Sequence, residues 1–181
     1  TGTSAFNNIE FLNSGSWSFS ADASTTNFTI TSGTVTAPTR LTVAGNYANS
    51  GTFTAGAGTL FLENTTTKTI NAGSGGSFSS LQIIGFASTT ANNFSVTGAL
   101  TVASSKILEI ASGLTVTSGS AGSVVINGKI DDTSDNGTLI VQNSSLGTGG
   151  TLDSRVRFDA TGATITAPAR TYGGIVAAYS S

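Results

Sequence analysis

The stretch Asn27-Phe28-Thr29-Ile30-Thr31-Ser32-Gly33-Thr34-Val35-Thr36 decides the fold of this chain. Phe28 and Ile30 alternate with Thr29 and Thr31, the period of a strand with one face buried and one wet. Gly33 then breaks the run, and Thr34-Val35-Thr36 starts it again. The phrase returns at Leu41-Thr42-Val43, Gly51-Thr52-Phe53-Thr54, Gly58-Thr59-Leu60-Phe61-Leu62, Leu114-Thr115-Val116-Thr117 and Thr164-Ile165-Thr166. Punctuation by Gly and Asn every few residues means many short strands joined by tight corners. Helix is excluded, because Gly, Ser, Thr and Asn dominate and no window sustains apolar residues at helical spacing.

These strands fit a stack of coils better than a β-sandwich. A sandwich of this length uses longer strands and hairpin signals such as Asn-Gly or Asp-Gly, and of these two dipeptides only Asn127-Gly128 and Asn136-Gly137 occur. The expected fold is all-β, a right-handed parallel β-solenoid, with a β-sandwich or jelly roll as the alternative. At roughly twenty residues per turn it would hold about seven to nine turns in a rod of roughly 40 Å. The expected interior runs from Ile9 and Phe11 through Phe28, Ile30, Leu41 and Val43, and includes Ile107, Val125 and Ile165. A longer period is also expected: Ala5–Phe11 resembles Ser77–Ile83, and Asn27–Thr31 resembles Asn93–Thr97, an offset of roughly seventy residues.

The 181 residues read as a single domain, residues 1–181, with charge-poor repeats over 1–128 and a more charged, divergent end over 129–181. Only 9% of residues are charged and 38% are hydrophobic, which argues for an ordered but weakly charged surface. A net charge of −2 removes the electrostatic case for nucleic acid. No apolar run reaches the roughly 18 residues of a membrane span. Without Cys there is no disulfide or thiolate site, and without His the usual catalytic base is missing. The chain opens at Thr1 rather than Met, so an upstream piece is expected.

Ser4–Ile9, Gly15–Pro38 and the continuation Leu41–Thr54 resemble repeats of very large bacterial surface proteins, of the kind predicted in candidate-phylum bacteria and similar to adhesin-type parallel β-helices. The resemblance covers about residues 1–120. It implies an extracellular, structural or adhesive role and carries over no catalytic residues.

Few residues invite chemistry. The first 128 residues hold only Glu10, Asp22, Glu63 and Glu109 as acids. Asp131-Asp132-Thr133-Ser134-Asp135-Asn136-Gly137 has the clustered oxygens of a calcium loop but lacks EF-hand spacing, so a solvated acidic turn is the simpler account. Arg155 and Arg157 share a strand face with Asp153 and Asp159, the pattern of surface ion pairing. Trp17, Tyr47, Tyr172 and Tyr179 are the sugar-stacking candidates, with Trp17 favoured as core. The pairs Thr29/Thr31, Thr34/Thr36, Thr52/Thr54, Thr115/Thr117 and Thr164/Thr166 raise an ice-binding face, but they are not evenly spaced, and Thr as the ordinary outward strand residue explains them. Asn27, Asn64, Asn93, Asn136 and Asn143 head glycosylation sequons.

The expectation is therefore a non-catalytic structural segment of an extracellular surface fibre or filament that associates with copies of itself, with no catalytic, cofactor or metal site. A glycan- or surface-binding adhesin module is the alternative. An ice-binding or polysaccharide-active β-helix stands third.

Overall fold

The computed structural model describes residues 4–119, 121–132, 136–142, 145–160, 169 and 172–179. Among these residues there is no helix, and every ladder is parallel. The chain winds through about 8 turns of a β-solenoid.

Turn one supplies β1 (Ser4–Phe11) and β2 (Ser16–Ser18), and turn two supplies β3 (Ala23–Ile30) and β4 (Thr34–Thr36). Turn three has β5 (Arg40–Val43), β6 (Tyr47–Asn49) and β7 (Thr52–Thr54); turn four has β8 (Thr59–Leu62), β9 (Lys68–Asn71) and β10 (Gly76–Phe78). Turn five has β11 (Ser80–Ile83), β12 (Ala87–Thr90) and β13 (Phe94–Val96). Turn six follows with β14 (Leu100–Val102), β15 (Ile107–Glu109) and β16 (Thr115–Ser118). Turn seven has β17 (Ser123–Ile126), β18 (Lys129–Asp131) and β19 (Thr138–Val141). The last turn holds β20 (Ser145–Leu146) and β21 (Thr151–Ala160), and β22 (Tyr172–Tyr179) lies on β21.

Stacking these turns builds three walls around one core. The first carries β5, β8, β11, β14, β17 and β20, and the second β6, β9, β12, β15 and β18. β1 and β3 are long enough to span both of these walls, pairing as Ser4 with Ala23 through Phe11 with Ile30. The third wall is split into a 3-stranded sheet of β2, β4 and β7 and a separate ladder from β10 onward.

Register explains the packing. Leu41, Leu60, Leu81, Leu100 and Val124 sit one above another, and each is almost wholly buried. Each such side chain contributes about 1.5–3 kcal/mol by leaving water. In the first five turns the centre is filled by aromatic rings. Phe11, Phe28, Tyr47, Phe78 and Phe94 follow each other at centroid separations of 5.3–5.8 Å, with Phe53 set edge-on beside them. Past Phe94 the column becomes aliphatic, through Val116, Leu139 and Val156.

Asparagines mark the corner entering the second wall. Asn27 Nδ2 donates to Asn8 Oδ1 (2.8 Å), Asn27 Oδ1 accepts from the Asn46 backbone N–H (2.9 Å), and Asn46 Oδ1 accepts from Thr69 N–H (3.1 Å). Such ladders satisfy backbone donors that a tight corner leaves without strand partners. Gly33 stands at the equivalent corner into the third wall, at φ +81°. A Cβ there would lie 2.4 Å from the Asn13 carbonyl oxygen and from the Trp17 ring, so only glycine fits.

The expected all-β solenoid stands, and the facing antiparallel layers of a sandwich do not occur among the described residues. Three details are corrected. Val125 is 37% exposed, because Val124 and Ile126 take the inward positions opposite Leu100 and Val102. Ile107 yields its inward place to Leu108. The seventy-residue period is not structural: Phe6 is exposed whereas Phe78 is buried, and Phe28 lies on the second wall whereas Phe94 lies on the third. The repeating unit is the turn. Ile165 lies outside the described residues.

Candidate functional surfaces

The residues singled out for chemistry are dispersed. Among the described residues no group of three His, Cys, Asp or Glu side chains could hold a metal. Of the proposed calcium loop, Thr133, Ser134 and Asp135 lie outside the described residues. Asp131 faces outward, whereas Asp132 is buried in the corner beside Gly137. Lys129 Nζ bridges Asp153 (2.7 Å) and Asp131 (3.0 Å), carboxylates on successive turns. These hydrogen bonds, Asp153 first and Asp131 second, hold the Lys129 ammonium above its ordinary pKa.

The strand β21 arranges its charges on one face, as the alternation implied. Arg157 pairs with Asp159 at 2.9 Å, Asp153 pairs with Lys129, and Arg155 reaches Asn136 Oδ1 at 3.5 Å. A cluster not legible as such surrounds Arg40. Its guanidinium lies 3.6 Å from the Phe61 ring centroid and 3.4 Å from Glu63, while its backbone N–H donates to Asp22 Oδ1 at 3.0 Å. Asp22, Arg40, Phe61 and Glu63 come from three successive turns, so only the register unites them. Exposed contacts of this kind contribute about 0.5–1 kcal/mol and mainly clamp neighbouring turns.

The aromatic candidates for sugar stacking are largely turned inward. Tyr47 is 1% exposed, and burial raises its hydroxyl pKa far above the ordinary value. Trp17 packs against Phe11 at 5.1 Å, and Tyr172 meets Phe158 edge-on. The Tyr179 side chain lies outside the described residues. Of the sequons, Asn64 is buried, with its Nδ2 bonded to the Ala87 carbonyl, and Asn93 is exposed. Asn143 lies outside the described residues.

Two of the concave features among the described residues bear on binding. A cavity of about 10 Å³ sits at the seam between β7 and β10, against Phe53 and Phe78; it is at the lower limit for one water. A shallow trough of about 570 Å³ crosses the second wall, with Asn8, Asn27, Asn46 and Asn71 along it, Glu10 at one end, Ala91 at the other and Ala48 between. It holds no aromatic platform. No family model, curated protein or solved structure matches this chain.

Proposed function

We propose that this chain is a non-catalytic structural segment of an extracellular surface fibre, in which solenoid units associate end to end. The observation that carries the reading is the half-covered first turn. β1 pairs with β3 on one edge only among the described residues, and Phe6 and Leu12 are 48% and 60% exposed beside it. Among the described residues, Ile9, Phe11, Trp17 and Phe19 are partly buried, packed against the core on one side. A further turn laid on β1, from the same polypeptide or from a second copy, removes these side chains from water and satisfies the edge backbone groups. At the other extreme β22 pairs only with β21 among the described residues, and its sequence carries no charge or proline to discourage pairing. Few surface charges also mean little repulsion between copies. Sedimentation velocity and electron microscopy over a concentration series should reveal linear oligomers that shorten in Phe6→Lys/Leu12→Lys. Monomers at every concentration would count against the proposal.

The trough favours a second reading, a module binding neutral glycans. Reproducible glycan-array hits abolished by Ala48→Lys would support it over the scaffold role.

A further inference from the structure

We infer that the sheet of β2, β4 and β7 is a water-ordering face that binds ice. The tetrads Gly15-Ser16-Trp17-Ser18, Gly33-Thr34-Val35-Thr36 and Gly51-Thr52-Phe53-Thr54 stack turn upon turn. Ser16 pairs with Thr34 and Thr34 with Thr52; Ser18 pairs with Thr36 and Thr36 with Thr54. The hydroxyl pairs Ser16/Ser18, Thr34/Thr36 and Thr52/Thr54 recur every eighteen residues along the chain and form two straight ranks in space. Rungs within a rank repeat at about 4.8 Å, and the ranks stand about 6.6 Å apart.

Three properties combine on this face. Its six hydroxyls make no side-chain hydrogen bond among the described residues, whereas Thr25, Thr31 and Thr89 are each tied to another group of the chain. The backing is rigid, since Trp17, Val35 and Phe53 point inward from the same strands into the aromatic column. No charged residue lies within Asn13–Ser20, Gly33–Thr39 or Ser50–Ala57, and the flanking Ala37, Ala55, Gly33 and Gly51 keep the rim low.

Each property favours a crystalline water surface over a dissolved ligand. A charged side chain orients water around itself, out of step with a lattice. An uncharged array of fixed hydroxyls, with threonine methyls between them, holds its first water layer at a constant repeat that ice can continue. The glycines are part of the device. A Cβ at Gly51 would lie 2.6 Å from the Gly33 carbonyl oxygen, so any other residue would push a rung out of rank.

The experiment is ice recrystallisation inhibition together with thermal hysteresis, on the wild-type chain and three variants. Thr34→Lys/Thr52→Lys breaks one rank, Thr36→Lys/Thr54→Lys breaks the other, and Thr101→Lys places the same charge on the first wall. All five substituted threonines face outward, and circular dichroism checks that the fold is kept. The wild type and Thr101→Lys should keep crystals small, and both rank variants should lose the effect. A wild type without effect on ice, or rank variants as active as the wild type, would overturn the inference. So would retention on crystalline cellulose, lost in the rank variants, without any effect on ice, which would reassign the face to a crystalline polysaccharide.

Discussion

Removing one oxygen atom from the core should make this protein more stable. Tyr47 stacks on Phe28 at 5.5 Å and 7° and meets Phe53 and Phe78 edge-on at 5.6 and 5.3 Å. Its hydroxyl is buried among these rings with no hydrogen-bond partner among the described residues. A buried, unpaired polar group costs about 1–3 kcal/mol, because it has given up water without replacement. Tyr47→Phe keeps every ring contact and loses only the oxygen, whose vacated space costs a few tenths of a kcal/mol at most, roughly one atom's dispersion contacts. The net expectation is a gain of about 1–2 kcal/mol, or about 2–8 °C in Tm for a chain of this size. Urea unfolding followed by far-ultraviolet circular dichroism and by the single Trp17 measures it from two vantage points. Tyr47→Leu, which removes the stacked ring, should instead lose about 2–4 kcal/mol. A Tyr47→Phe protein less stable than the wild type by 1 kcal/mol or more would refute the reasoning, since the hydroxyl would then have a partner.

Other outcomes follow from the same geometry. Because burial raises the Tyr47 pKa, the folded chain keeps this phenol neutral while the unfolded chain ionises it above about pH 10. Stability should therefore fall as pH rises beyond that point, and Tyr47→Phe should lessen the fall in alkaline melting curves. The Lys129 ammonium, raised by Asp153 and Asp131, acts in the same direction: its contribution is complete below the ordinary lysine pKa and fades above it. Lys129→Gln should flatten that part of the pH profile slightly, as expected for an exposed pair. On the core, Leu100→Ala should cost about 2–5 kcal/mol, whereas Val125→Thr should stay within about 0.5 kcal/mol, although both positions are apolar strand residues.

What the chain made legible was the periodicity, and with it the fold. Phe28-Thr29-Ile30 and Leu41-Thr42-Val43 alternate cleanly, and the structure buries their apolar members. Where three apolar residues run together, as in Val124-Val125-Ile126, local pattern leaves the inward parity open, and the neighbouring turn decides it through Leu100 and Val102. Tyr47-Ala48-Asn49 carries two poor strand formers, Ala48 and Asn49, and is not among the alternating phrases. It is a strand because Phe28-Thr29-Ile30 offers it a parallel edge. The surfaces were less visible for the same reason. The Arg40 cluster and the two hydroxyl ranks are assembled from residues on successive turns, the cluster across unequal turn lengths and the ranks across a constant eighteen residues that the unevenly spaced Thr-x-Thr pairs elsewhere obscure.

The stacking of turns in parallel register is the claim on which the rest depends, and the absence of native cysteine makes it directly measurable. Thr29 and Ala48 are outward partners on adjacent turns, and Asn71 is the next partner in the same column. Parallel neighbours about 4.8 Å apart fall within disulfide reach, whereas positions two turns apart, at about 9.6 Å, do not. Under mild oxidation, Thr29→Cys/Ala48→Cys should form an intramolecular disulfide and Thr29→Cys/Asn71→Cys should remain reduced. Failure of the first pair to cross-link, or equal cross-linking of the second, would contradict the solenoid.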